Sequence, residues 1–210
     1  MVNEGGIDVL DKWLFSLGSI VTVMLLANCA ATPDTHFYAI SSGLTDQRVQ
    51  TPTTDEMGLR VGPFEFPAYL QRPNIVTRSA GDRIDVSEFH RWAGSLEDDF
   101  YHALGSNLGV LLNTSRISVF PAEMRFEPDY YLSGEVVRFD GDLGGSLTLE
   151  VRWMINRTNT QDALVVRHSI LSEPIQGGEY TDLVAAYDRI LVSLSKLVQK
   201  ALIGLVRNRS

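Results

Sequence analysis

The segment TDLVAAYDRILVSLSKLVQKALIGL, residues Thr181 to Leu205, repeats apolar residues at intervals of three and four positions. This spacing places the apolar side chains along one face of an α-helix, so the pattern predicts a final helix of more than about 20 residues. An amphipathic helix can bind a membrane or a partner helix, but this one carries few cationic residues before its end. We therefore expect it to pack on a β-sheet. The apolar positions are Leu183, Tyr187, Ile190, Leu194, Leu197, Ala201 and Leu205.

Three strands are predicted before this helix, over residues 130–139, 146–156 and 163–173. The run DGDLGG, residues 140–145, joins the first two and is typical of a turn. Residues 157–162 join the last two, so the pattern indicates an antiparallel meander. A glycine-rich loop can also hold phosphate, but that use requires a strand-to-helix connection, and this loop lies between strands.

A second amphipathic helix is predicted from Ser95 onward, because apolar residues recur from Leu96 to Leu112 at helical spacing. Ser95 has the side chain preferred before a helix, and three acidic residues follow in the first turn, where the helix dipole favours negative charge. Neighbouring carboxylates can also indicate acid–base catalysis or a metal site. We prefer the dipole interpretation, because adjacent helical side chains point in different directions. The acidic residues are Glu97, Asp98 and Asp99.

The region before Ser95 is expected to contain short strands. Residues 36–40 form the first, a polar loop follows over residues 41–58, and residues 59–64 form the second, which Pro63 and Pro67 are expected to break. Residues 75–78 and 83–87 flank Ala80, Gly81 and Asp82, a sequence that suits a hairpin. The chain therefore predicts an α+β fold, with a mostly antiparallel mixed sheet and the two amphipathic helices packed on one face.

Composition excludes several classes of protein. The 210 residues are 44% hydrophobic, which is enough for a core, and the formal charge of −8 disfavours nucleic acid as a partner. The single cysteine, Cys29, excludes an internal disulfide and a thiolate-rich metal site. Stability must come from packing.

No constellation of catalytic residues is found in the sequence. The four histidines, His36, His90, His102 and His168, are scattered, and none of them forms a pair at the helical spacing of a metal site. We expect solvated or core histidines, no metal and no cofactor. Nucleophile-elbow, Walker and dinucleotide motifs do not occur, so a periplasmic hydrolase is the least supported hypothesis and we expect no enzyme.

The segment GPFEFPAYLQRPNIVTRSAGDRIDVSEFHRW, residues 62–92, combines three prolines with a dense group of aromatic residues. Two interpretations stay open. The group either closes the core or forms an exposed binding surface, since proline-rich aromatic loops on a rigid scaffold are often binding sites. The candidate contact residues for a partner or a lipid are Phe64, Phe66, Pro67, Tyr69, Leu70, Arg78 and Trp92.

Cys29 ends an apolar run that begins at Trp13 and is preceded by Lys12. The run is too short for a comfortable membrane span but suits a secretory signal. Leu26, followed by Ala27 and Asn28 before Cys29, resembles the lipobox of bacterial lipoproteins, although Asn28 stands where Gly, Ala or Ser is usual. The resemblance implies lipidation of Cys29, a signal peptide over residues 1–28, a tether over 29–35 and a domain over 36–210. The alternative is an apolar N-terminal helix with a buried cysteine.

Several motifs of the mature chain resemble those of the ABC-type transport auxiliary lipoprotein family of the PqiC/YmbA type. The shared residues include FYAI at 37–40, PAYL at 67–70, HRWA at 90–93, RFDG at 138–141 and RW at 152–153. Arg72, Pro73 and Arg78 also match in order and spacing.

The family resemblance implies a lipoprotein on the periplasmic face of the outer membrane. Its implied role is to dock an MCE (mammalian cell entry) protein of an ABC lipid transport system, without catalysis. Ala30 after the cysteine, rather than Asp, favours the outer membrane. Whether the chain forms a homo-oligomer stays open, and a periplasmic lipid carrier is the alternative function. Such a carrier needs an apolar cavity of several hundred cubic ångströms.

Overall fold

The computed structural model describes residues 33–44, 57–79, 83–121, 126–158, 160 and 163–207. The chain divides into two units, Met1–Asp34 and Thr35–Ser210, and all the described helices and strands belong to the second. The lipobox, Cys29 and the signal peptide predicted before it lie outside the described residues.

In the part of the chain that the structure describes, eight strands form two sheets. The strands are β1 (His36–Tyr38), β2 (Leu59–Glu65), β3 (Asn74–Arg78), β4 (Ile84–Trp92), β5 (Ile117–Val119), β6 (Tyr130–Gly141), β7 (Ser146–Arg157) and β8 (Ala163–Pro174). The smaller sheet has the order β1-β4-β3 and the larger one β5-β2-β6-β7-β8. Strand β2 is parallel to both β5 and β6, and β1 is parallel to β4, whereas the other pairs are antiparallel.

Two helices, α1 (Leu96–Leu112) and α2 (Tyr180–Arg207), pack against the larger sheet. Phe139 of β6 marks the contact, because its ring meets the rings of Phe100 on α1 and Tyr187 on α2. The Tyr187 hydroxyl also donates a hydrogen bond of 3.0 Å to the carbonyl oxygen of Phe139. The helical stripes and the alternate residues of the strands thus share one core.

The helix boundaries follow local chemistry. The Ser95 hydroxyl accepts a hydrogen bond from the Asp98 amide at 3.0 Å, which satisfies one of the free amides at the start of α1. At the other end, Asn113 adopts a left-handed conformation with φ 51°, and its amide donates to the carbonyl oxygens of Gly109 and Val110. Asp182 accepts a hydrogen bond from the Glu179 amide just before α2.

The predicted α+β class, both helices, the meander and the hairpin of β3 and β4 are confirmed. The predicted break at Pro63 is wrong, because β2 continues to Glu65. The pairing register with β6 shifts between Val61 and Phe64, and such an irregularity accommodates a residue that lacks an amide hydrogen. The sequence also missed β5 and the separation of the strands into two sheets.

Within the described residues, neither helix has the length and apolar character that a membrane span requires.

Candidate functional site

Four of the seven candidate contact residues are buried. Phe64 and Phe66 pack edge-on against the ring of Phe100, with centroid distances of 5.2 and 5.3 Å. Trp92 packs in the same way against Tyr187 at 5.2 Å. Leu70 is also part of the core. These four side chains are therefore part of the hydrophobic core, and of the four only Phe66 and Leu70 also line a cavity at the surface that the structure describes.

Tyr69 and Arg78, two further candidates, converge on the carboxylate of Asp140, which is fully buried. The Tyr69 hydroxyl donates to Asp140 at 2.6 Å, and the Nε and Nη2 atoms of Arg78 donate at 2.7 and 3.0 Å. Arg138 adds a bond of 2.9 Å from its Nε. We call these four residues the Asp140 cluster. It connects β6 and β3 to the proline-rich loop, residues 66–73.

The electrostatics of the cluster keep Asp140 ionised. Burial by itself raises the pKa of a carboxyl group, but hydrogen bonds from Arg78 and Tyr69, with the charges of Arg138 and Arg78, outweigh burial and hold the pKa of Asp140 below its ordinary value. Burial and the bond to Asp140 raise the pKa of Tyr69 to about 12. The hydrogen bond to Asp140 likewise raises the pKa of Arg78.

The Asp140 cluster therefore has the properties of a structural clamp. Asp140, Tyr69 and Arg78 each have a pKa shifted toward the protonation state that the group already holds at neutral pH, so none of the three is poised to exchange a proton. The sequence had placed Asp140 in a turn, but it lies on β6 opposite Thr148. No spacing rule identifies such a carboxylate, because two of its three partners, Tyr69 and Arg78, come from a distant part of the chain.

The proline-rich loop presents a small rigid surface above this clamp. Arg72 and Pro73 are exposed, whereas Pro67 is partly buried. Two hydrogen bonds fix the loop internally, from the Leu70 amide to the Pro67 carbonyl oxygen at 2.9 Å and from the Gln71 side chain to the Phe66 carbonyl oxygen at 2.8 Å. Beside the loop lies a cavity of about 310 Å³, lined by Phe66, Leu70, Gln71, Arg72, Ser95, Leu96 and Glu97.

A larger cavity, of about 470 Å³, lies on the larger sheet. It is lined by Pro63, Glu65, Ser133, Gly134, Glu135, Arg152, Trp153, Met154 and Val166. Arg152 and Glu135 form an ion pair of 3.0 Å there. Both cavities thus combine apolar residues with charged ones.

The structure brings two of the scattered histidines together. His36 and His90 are register partners on β1 and β4, and their rings stack with a centroid distance of 5.4 Å. The Tyr38 hydroxyl lies 2.8 Å from Nδ1 of His90, and the Tyr180 ring stacks on the His90 ring with a centroid distance of 3.8 Å. Among the residues that the structure describes, no three His, Cys, Asp or Glu side chains are grouped so that they could hold a metal ion.

The fold defined above, an α+β domain with two helices packed on a mixed sheet, is shared with solved structures of low sequence identity. An uncharacterised protein superposes with a TM-score of 0.65 at 19% identity, covering 81% of this chain and 99% of that one. A Xanthomonas campestris protein of the DUF330 family superposes with a TM-score of 0.64 at 17% identity, covering 83% and 100%. Among curated proteins, none matches the sequence.

Residues 38–198 match the model of the ABC-type transport auxiliary lipoprotein component family. Because the match spans most of the chain, the protein belongs to that family. It is thus an auxiliary lipoprotein component of an ABC-type transport system.

Proposed function

We propose that the protein docks the periplasm-spanning MCE component of an ABC-type lipid transport system at the outer membrane, without catalysing a reaction. The observation that carries the proposal is the family match over residues 38–198. The lipobox resemblance adds a means of attachment. Acyl chains on Cys29 would anchor the domain, and several chains bind a membrane far more firmly than one.

The proline-rich loop is our proposed docking surface. The Asp140 cluster and the buried aromatic rings hold the loop from beneath, so its exposed side chains are already in position. A rigid loop loses less conformational entropy on binding than a mobile one. Arg72 supplies a positive charge at the rim of the 310 Å³ cavity, and Phe66 and Leu70 supply apolar lining. The cavity would accept one side chain of the partner.

A binding experiment tests this surface. The change Arg72→Glu reverses a charge on an exposed side chain, so we expect it to leave the fold intact. It should weaken binding of the purified MCE-domain protein of the same transport system about tenfold, which corresponds to roughly 1.4 kcal/mol. Biolayer interferometry at two salt concentrations measures the effect. Lys196→Glu is the matched control, because Lys196 is exposed on α2.

Two results would contradict the proposal. Equal binding by wild-type protein and the Arg72→Glu variant would exclude the loop as the docking surface. Absence of any binding to the MCE-domain protein would refute the docking function. Fractionation of a Cys29→Ser variant completes the test, since loss of the protein from the membrane fraction is expected if Cys29 is acylated.

The lipid-carrier alternative has less support. The aromatic group that motivated it is mostly buried, with Phe64, Phe66 and Leu70 in the core. The 470 Å³ cavity is of the size that a lipid carrier needs, but its lining includes the charged residues Glu65, Glu135 and Arg152. Charged groups are costly to cover with an apolar chain, so this lining disfavours a lipid.

A further inference from the structure

Strand β8 has an unusual edge. Its register partners on β7 run from Asn156 back to Ser146, so one edge is paired along the strand's length. Because β8 is the last strand in the order β5-β2-β6-β7-β8, its other edge is not paired with any described strand. The amide and carbonyl groups on that edge can bind a further strand.

Proteins usually protect such an edge. Prolines, lysines, bulges and short length all discourage a second chain from pairing there. Strand β8 has 12 residues, its only proline is the terminal Pro174, and the register irregularity with β7 lies near its start. Its central residues LVVRHSIL, 164–171, contain one fixed charge, Arg167. These residues therefore form a long, open pairing edge.

Apolar side chains are exposed along the same strand. Val166 and Ile170 are 62% and 65% exposed. Their register partners on β7 are Met154 and Glu150, and the partner of His168 between them is Arg152. Opposite residues in an antiparallel pair share a face, so Val166, His168 and Ile170 lie on the face of the sheet that carries Arg152, away from the buried Trp153.

The sequence of this edge is nearly symmetric about His168. Valines stand two and three residues before it, and Ile170 and Leu171 stand two and three residues after it. A two-fold interface brings each residue opposite its counterpart across the axis, so a palindromic pattern of apolar residues is self-complementary. A different partner strand would not require this symmetry.

We propose that β8 of two copies pair in the antiparallel sense around a two-fold axis at His168, which joins the two larger sheets into one. In this register Val166 of each copy lies opposite Ile170 of the other, and Val165 lies opposite Leu171. Arg167 lies opposite Ser169. The inference concerns assembly and does not depend on the docking function.

Neighbouring registers are less favourable. An axis at Arg167 would place two guanidinium groups directly opposite each other, and like charges in that position are destabilising. An axis at Ser169 would place Arg167 opposite Leu171. Only the axis at His168 aligns the two apolar pairs while keeping the arginines apart. The pair of His168 with Glu150, at 2.9 Å, occupies the centre of the proposed interface.

Cysteine cross-linking tests the register. In the full chain with Cys29→Ser, held in mild detergent, each engineered cysteine is the only thiol. The His168→Cys variant should give a majority of covalent dimers with a short bifunctional thiol reagent, because opposed residues have Cβ atoms about 5 Å apart. Ser172→Cys alone should not, since its two copies would be separated by roughly 27 Å along the strands. A mixture of Leu164→Cys and Ser172→Cys chains should form heterodimers.

Sedimentation velocity provides the second measurement. The parent chain should form dimers, and Val166→Lys with Ile170→Lys should convert them to monomers. These side chains are largely exposed, so circular dichroism should show an intact fold. Phe37→Lys is the matched control, because Phe37 is 65% exposed on the smaller sheet and should not affect the dimer.

Three outcomes would overturn the proposal. If the parent chain stays monomeric, β8 does not pair with a second copy, and its edge binds another protein or no partner. Dimers that persist in the double lysine variant would place the interface elsewhere. Equal cross-linking by Phe37→Cys and His168→Cys would show non-specific collision rather than strand pairing.

Discussion

The Asp140 cluster offers the sharpest test of how this fold is stabilised. The change Asp140→Asn keeps the shape of the side chain but removes the charge that faces two arginines. Asp140 accepts hydrogen bonds from Tyr69, Arg78 and Arg138, and its side chain is 0% exposed. The variant would leave Arg78 and Arg138 without their shared carboxylate.

The magnitude follows from burial. Removing one partner of a buried ion pair costs about 3–5 kcal/mol, because the remaining charge stays desolvated. The side chains of Arg78 and Arg138 are 18% and 34% exposed, so water compensates part of the loss. We therefore expect the free energy of unfolding to fall by about 3 kcal/mol, the lower end of this range. For a domain of this size, that corresponds to a fall in Tm of roughly 6–12 °C.

Urea and thermal denaturation, followed by circular dichroism, measure this loss. Asp142→Asn is the matched control, because Asp142 is exposed in the turn two residues further on. We expect it to change the free energy of unfolding by less than about 0.5 kcal/mol. If Asp140→Asn were equally mild, the Asp140 cluster would not be an energetic clamp and the reasoning from burial would be refuted.

The pH dependence gives a second readout of the same variant. The pKa of Asp140 in the folded protein lies below its ordinary value of 3.8. Its contribution is then fully present above the pKa of the unfolded chain and is lost as the pH falls through the folded pKa. The stability difference between wild type and Asp140→Asn should be constant near neutral pH and shrink below about pH 4. A difference that grew in acid would contradict the assigned direction.

Two further changes probe the backbone. Gly62→Ala should destabilise the domain by about 1–3 kcal/mol in urea denaturation, because Gly62 has φ +95° and a Cβ atom there would approach Phe120 to 2.8 Å. Gly178→Ala is the control, because a Cβ atom at Gly178 meets nothing within 4 Å. Equal stability of the two variants would refute the strain argument. Ser95→Ala should cost about 1 kcal/mol by removing the hydrogen bond to the Asp98 amide, with Ser95→Thr close to wild type, and an unchanged urea midpoint for Ser95→Ala would show that the cap is dispensable.

Sequence reasoning reached the elements whose signal is local. The helices follow from repeats at three and four positions, and the meander follows from alternating residues separated by turn sequences. Sequence reasoning failed where the outcome depends on how one strand pairs with another. Pro63 was expected to break β2, yet the strand continues to Glu65, and its pairing with β6 shifts register between Val61 and Phe64. Strand β5 has only three residues, too few for a periodic pattern, and it exists through its pairing with β2.

The candidate contacts for a partner or a lipid stay a prediction, but two of them meet in the structure. Tyr69 and Arg78 were selected from the sequence, and the structure brings them together on Asp140. Asp140 and Arg138 were not selected, because a charged residue beside a glycine-rich turn is usually solvated. The pairing of His36 with His90 was also missed, since it depends on β1 lying parallel to β4 across a long separation in sequence.

The sequence by itself therefore determined the α+β class, the two long helices, the meander and the family, because each depends on local periodicity or on ordered motifs. Only the tertiary structure decided which aromatic residues before α1 are interior and which are surface. It divided the strands between two sheets and buried Phe64, Phe66, Leu70 and Trp92. It enclosed a carboxylate between two arginines, and it left β8 at an open edge. These features depend on contacts between distant segments, and no local pattern specifies which segments meet.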